Sequence, residues 1–259
     1  MRKKKLQIAN IISLIAVIII NYLSVTGMFN GTTIGEVSAQ YQSYVTPAGY
    51  AFSIWSLIYL GLTAFVIFQG RSLSGKKPNN DIAVQIGWWF VLSSIANGLW
   101  VLTWVYELTG LSVLMMLLLL YSLLQIIINT NMEIEDASLR KIAFVWWPIS
   151  LYSGWITVAL IANISAYLTK VGWNGWGISE TGWAIIMILV AGLINLLVTW
   201  IRNMREFALV GVWALAAVAV ANWGSVPFVA YTALTVAAIL FISSSIHAFR
   251  NRKSFPPPW

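Results

Sequence analysis

Apolar positions run along this chain in eight long stretches, near residues 6–23, 50–69, 82–104, 111–129, 143–166, 183–201, 207–222 and 226–248. Each is close to the roughly 20 residues an α-helix needs to cross a bilayer. The breaks between them hold turn-forming and charged residues, among them "GRSLSGKKPNND", "NMEIEDASLRK" and "RNMRE". A helix satisfies its own backbone groups inside hydrocarbon, so the pattern predicts an all-α, polytopic membrane bundle of about eight transmembrane helices. The seventh stretch is the shortest and is expected to tilt little or to lie partly at the interface. No internal repeat of the inverted-repeat transporter kind is present.

Composition agrees, with 59% hydrophobic and only 9% charged residues against about 25% charged in soluble domains. No polar stretch is long enough for a separate soluble domain. Without cysteine, disulfides, thiolate metal sites and thiol nucleophiles are excluded. The net charge of +7 points either to nucleic acid or to an anionic surface, and its placement decides. Eight crossings put both termini on one side. Fourteen of the 15 Lys and Arg residues fall there, from Arg2, Lys3, Lys4 and Lys5 through Lys76, Lys77, Arg140 and Lys141 to Arg250, Arg252 and Lys253. Only Lys170 falls on the other side. The basic balance is thus topological: a multi-pass protein of the cell (plasma or inner) membrane, both termini cytoplasmic, with lipids and no nucleic acid as partners. "RKKK" before an apolar run fits a signal peptide, but the small-residue "VSA" at 37–39 lies too far beyond it, so an uncleaved helix is expected.

Fifteen tryptophans first suggest interfacial belts. Trp88, Trp89, Trp146, Trp147 and Trp200 fall at inner ends of spans, and Trp104, Trp173, Trp176, Trp183 and Trp223 at outer ends or loops. Four remain at membrane depth, where an indole N–H wants a partner. Trp55 has Tyr59 at i+4, Trp100 has Asn97 at i−3, and Trp155 has Tyr152 at i−3 with Asn163 on the same stripe. Trp213 has no such companion. If these faces converge, they line one outward cavity beneath the long 24–49 loop; otherwise they glue a packed bundle.

The same residues carry a resemblance. "PAGYAFSIWSLIYLG" supplies Pro47, Phe52, Trp55 and Tyr59; the third span supplies Asn97 and Trp100; the fifth supplies Tyr152, Trp155, Ala159 and Asn163. In this the chain resembles the TspO family of translocator or tryptophan-rich sensory proteins, over roughly residues 1–168. The resemblance implies a five-helix ligand-binding bundle over 1–168, with three further helices and a short basic tail over 169–259 in the same membrane domain. It implies a ligand of porphyrin or other tetrapyrrole type, or a similar flat lipophile, and a role in its sensing, transport or turnover. Trp55, Tyr59, Asn97, Trp100, Tyr152, Trp155 and Asn163 are the ligand-lining candidates carried over, and a homodimer is one assembly it allows. Two departures stand out: the additional helices, and Pro148, which lies further ahead of Trp155 than in the family pattern. The forward sterol motif is absent around Tyr167 and Lys170.

Catalytic chemistry is not readable. His247 sits beside "RNRK" at the inner end of the last span, where an interfacial role fits best. No carboxylate pair, nucleophile triad or metal cluster lies within the spans. Glu36, Glu107 and Glu180 fall in outer segments, as solvated loop charges or as a group near the long loop. Tetrapyrrole breakdown, which the resemblance brings in, requires no acid–base dyad. The alternative is an uncoupled transporter of a small apolar metabolite, since no ionisable residue sits at membrane depth to couple ions. A structural or signalling role through the proline-rich tail is the third reading.

Overall fold

Every element of the computed structural model is helical; the structure describes residues 1–74 and 81–250, and no strand occurs among them. Lys76, Lys77, Arg252, Lys253 and the proline-rich tail lie outside the described residues. In chain order the α-helices are α1 (Arg2–Val25), α2 (Ile34–Gln40), α3 (Ile54–Gly70), α4 (Ile82–Ile86), α5 (Trp89–Val105) and α6 (Thr109–Asn129). Then come a short turn, α7 (Leu139–Lys141), and α8 (Trp147–Lys170), α9 (Glu180–Arg202), α10 (Arg205–Asn222) and α11 (Pro227–Arg250). Among the described residues seven helical runs are long and apolar enough to cross a membrane, and Trp89–Val105 is a shorter apolar helix. The eight expected stretches are therefore all helical, in the expected order.

Local chemistry sets the boundaries. The stretch expected over 82–104 is broken at Gly87, whose φ of 62° favours a residue without Cβ. Ahead of α8 the chain widens into a π-helical segment, Ile142–Trp146. Pro148 has no N–H to donate back to the preceding turn and its ring crowds that turn, so a wider turn just before it relieves the conflict. Ser179 caps α9 by accepting from the Gly182 N–H at 3.1 Å, and Asn203 ends it in the left-handed conformation at φ 59°.

The chain forms two compact units, one of residues 1–37 and 55–149, the other of residues 38–54 and 150–259. In the first, α1 and α3 are joined by buried amides. Gln7 Nε2 donates to the Gln69 carbonyl and, at 2.8 Å, to Ser72 Oγ, and Asn10 Nδ2 donates to Gln69 Oε1 at 2.9 Å. Phe65 packs on Phe90 with ring centroids 5.0 Å apart, and Phe68 on Phe144 at 5.5 Å.

In the second unit α9, α10 and α11 pack through small residues around Ala184, Ile188, Leu215, Val218, Val229 and Ala233. A Cβ built on Gly192 would stand 2.5 Å from Val236 Cγ1, and one on Gly211 2.5 Å from Asn195 Oδ1. Gly154 of α8 lies against the Phe207 backbone of α10, where an added Cβ would come within 3.0 Å of a carbonyl oxygen. Residues 44–51 are tied to α10 as well. The Ala48 N–H donates to the Ala217 carbonyl at 3.1 Å, Asn222 Nδ2 to the Tyr44 carbonyl at 2.9 Å, and Trp213 Nε1 to the Ala51 carbonyl at 3.2 Å. Trp213, expected to lack a companion, thus has two: Ala51, and Tyr50, edge-on at 5.3 Å.

Candidate functional site

Four of the seven candidate residues belong to the first unit, and three of them stack. Trp55 and Tyr59, one helical turn apart on α3, have centroids 5.4 Å apart and planes inclined at 22°. Trp55 also stacks on Trp100 of α5, at 6.3 Å and 26°. Trp104, one turn beyond Trp100, continues the series at 6.2 Å and 23°. The result is a four-ring offset stack, Tyr59–Trp55–Trp100–Trp104, the parallel-displaced arrangement that the ring quadrupoles favour. Its Trp100–Trp104 end is buried and its Trp55–Tyr59 end half-buried. Trp104 Nε1 donates to the Ile34 carbonyl at 3.1 Å. Asn97, fully buried on α5, accepts from Asn21 Nδ2 of α1 at 2.9 Å. Its amide therefore serves helix packing as well as any ligand.

The other three candidates belong to the second unit. Trp155 is 2% exposed and stands edge-on to Phe52, centroids 6.0 Å apart. Tyr152 and Asn163 are buried on the same helix, about 16 Å apart along its axis. Both share one helical stripe with Trp155.

Several side chains differ from their sequence reading. Trp104 and Trp146, placed in the interfacial belts, are buried, at 5% and 2% exposed. The position of a ring at a span end fixes its depth but not whether it faces lipid or protein. Trp173, Trp176 and Trp183 contact one another edge-on or tilted, with centroids 5.1 to 6.3 Å apart. His247, expected at the interface, is 3% exposed. Its Nε2 lies 3.1 Å from Asn203 Oδ1, and its ring stands perpendicular to Trp200.

The outer carboxylates separate in role. Glu36 closes a capping box on α2, accepting from the Thr33 N–H at 2.7 Å while Thr33 Oγ1 accepts from the Glu36 N–H at 3.2 Å. These bonds, the Thr33 backbone N–H first, hold its carboxyl below the ordinary glutamate range. Glu107 sits in the turn after α5 with φ 57°. Glu180 lies at the first turn of α9, on the rim of a cavity.

That cavity lies wholly within the second unit and has a volume of about 610 Å³. Ser43, Tyr44 and Val45 of the long 24–49 loop line it, together with the end of α8 and the start of α9. None of the seven candidate residues does. Among the described residues no group of three or more His, Cys, Asp or Glu side chains comes together to hold a metal.

Comparison with known proteins gives one result. No curated protein and no solved structure is detectably similar to the chain. The family model of TSPO-like protein matches residues 7–246, so the match continues past residue 168 over the last three spans. With seven helices fit to span a membrane and an eighth, shorter apolar one among the described residues, this chain is a multi-pass membrane protein belonging to the TSPO-like family.

Proposed function

We propose that this TspO-type membrane protein binds a flat, lipophilic ligand of tetrapyrrole type by extending the aromatic stack of its first unit. One observation carries the reading: Tyr59, Trp55, Trp100 and Trp104 lie in a single stack whose Trp55–Tyr59 end is half-buried. A planar macrocycle adds a layer to such a stack and gains dispersion and quadrupole attraction at small entropic cost, because the rings are already held by one another. Asn97, of the same unit, is the candidate contact for the ligand edge, and family membership supports the same class of ligand. The one-sided distribution of basic residues supports a plasma or inner membrane location with both termini cytoplasmic.

The test is a protoporphyrin titration of the detergent-solubilised chain, following tryptophan fluorescence. Saturable quenching is expected, weakened about tenfold in Trp55→Leu, the value of one stacked ring pair. Equal, non-saturating quenching in both proteins would sink the reading.

A further inference from the structure

We propose that the cavity of the second unit is a separate binding site for an amphiphilic organic cation, an ammonium or phosphonium on an apolar body. Its volume, about 610 Å³, falls within the range of small-molecule sites. The inner wall is apolar, with Val45 and Ala184 buried and Ile161 and Met187 beside them. Tyr44, Trp173 and Trp183 add aromatic surface.

These rings are positioned in advance. The Tyr44 backbone is held by the Asn222 amide at 2.9 Å. Trp183 Nε1 donates to the Gly175 carbonyl at 2.8 Å, and its ring lies 5.1 Å from that of Trp173. Gly175 has φ 69°, and a Cβ there would stand 3.3 Å from the Trp183 ring. A side chain at residue 175 would therefore push the indole out of place.

Charge selects the ligand class. Glu180 is the carboxylate on the lining, and no Lys, Arg or His side chain lies among the lining residues. Among the described residues no ion pair neutralises it. The nearby Lys170 holds its Nζ over the Tyr41 ring at 5.2 Å and is not part of the lining. Two further polar groups of the rim are engaged with the backbone, since Asn174 Oδ1 accepts from the Trp176 N–H and Ser179 Oγ from the Gly182 N–H. An anion here would meet a carboxylate with no counter-charge. A cation would meet that carboxylate together with aromatic faces, the combination that recognises quaternary centres.

Tetraphenylphosphonium and tetraphenylborate, nearly isosteric and opposite in charge, provide the test. Each is titrated calorimetrically into the full chain in nanodiscs of zwitterionic lipid, with empty nanodiscs subtracted. Saturable one-to-one binding of the phosphonium is expected, and none of the borate. Glu180→Gln should weaken it about tenfold, Glu180→Lys should transfer the preference to the borate, and Trp55→Leu should leave it unchanged. Met187→Trp, which fills the inner end without touching the rim charge, should abolish it while far-UV circular dichroism stays native. Binding of both ions alike, no saturable phosphonium binding, or affinity indifferent to both Glu180 variants would overturn the proposal. Because the stack residues are absent from this lining, its failure leaves the tetrapyrrole reading standing, and the reverse holds.

Discussion

The two units hold their helices together by different means. In the first, large and polar side chains do the joining: four stacked rings link α3 to α5, and a Gln7–Asn10–Gln69 amide network links α1 to α3. In the second, the helices approach through residues that have almost no side chain, with Gly192 against Val236, Gly211 against Asn195 and Gly154 against the Phe207 backbone. Lipid tails are as apolar as leucine, so neither unit gains much from apolar burial between helices alone. One solution supplies directional contacts; the other supplies close approach and van der Waals density. The first holds a run of stacked aromatic rings, while the second encloses a cavity where the ends of α8 and α9 meet residues 43–45.

The largest effect should come from the stack. Trp104→Ala removes a ring, its contact with Trp100 and its hydrogen bond to Ile34, and should cost about 3–5 kcal/mol. Trp213→Ala in the second unit should cost distinctly less, because that ring is 38% exposed. Thermal unfolding in detergent, read by circular dichroism, checks the pair. Equal losses would remove the contrast between the units.

Next come the glycines. Gly211→Ala sets a methyl 2.5 Å from Asn195 Oδ1, against an amide whose nitrogen is bonded to the Ala191 carbonyl, and should destabilise by about 1–3 kcal/mol. The matched substitution in the first unit, Gly98→Ala, meets only the terminal methyl of Ile20 at 3.1 Å. That methyl can turn aside, and alanine brings up to about 1 kcal/mol of helix propensity, so near-neutrality is expected. A tolerated Gly211→Ala beside a damaging Gly98→Ala would invert the comparison.

What was legible in the sequence follows the same division. All the spans could be placed, because length and apolarity suffice for that. So could Trp55, Tyr59, Asn97 and Trp100, whose spacing of three or four residues puts them on shared faces. Trp104 stands at the same spacing from Trp100, yet its place at a span end gave it a belt reading; only tertiary packing shows that it faces protein. Trp213 was unreadable for another reason, since its partners Tyr50 and Ala51 lie some 160 residues earlier. The cavity was least accessible of all. Its walls come from two stretches far apart in the chain, residues 43–45 and 161–187, and its one charged group, Glu180, looks in sequence like any residue at a helix start. The glycine contacts were invisible because an isolated glycine does not announce what it packs against.

A smaller effect is expected at the buried amides. In a double-mutant cycle, Asn10→Ala and Gln69→Ala should couple by about 0.6 kcal/mol, the usual size for polar contacts between membrane helices. A coupling near zero would mean that the stack alone joins these helices, and that the polar residues of the first unit are passengers.

The smallest effect concerns Glu36. Its carboxylate accepts from the Thr33 N–H, and its pKa is lowered from the ordinary 4.5. A carboxyl whose folded pKa is depressed stabilises its local structure above the unfolded value and loses that contribution as the pH falls through the folded one. The α2 capping box should therefore persist from neutral pH down to about 4.5 and open only below it, with the rest of the protein unchanged. Amide hydrogen exchange at Thr33, corrected for intrinsic rates, is the measurement. Protection should fall below that pH in the native chain and be weak at every pH in Glu36→Ala. Protection that ignores pH would show that the packing of α2, through Val37, which is fully buried, holds the turn without the carboxylate. The first unit would then rely on apolar anchoring at that point, without the directional contacts it uses elsewhere.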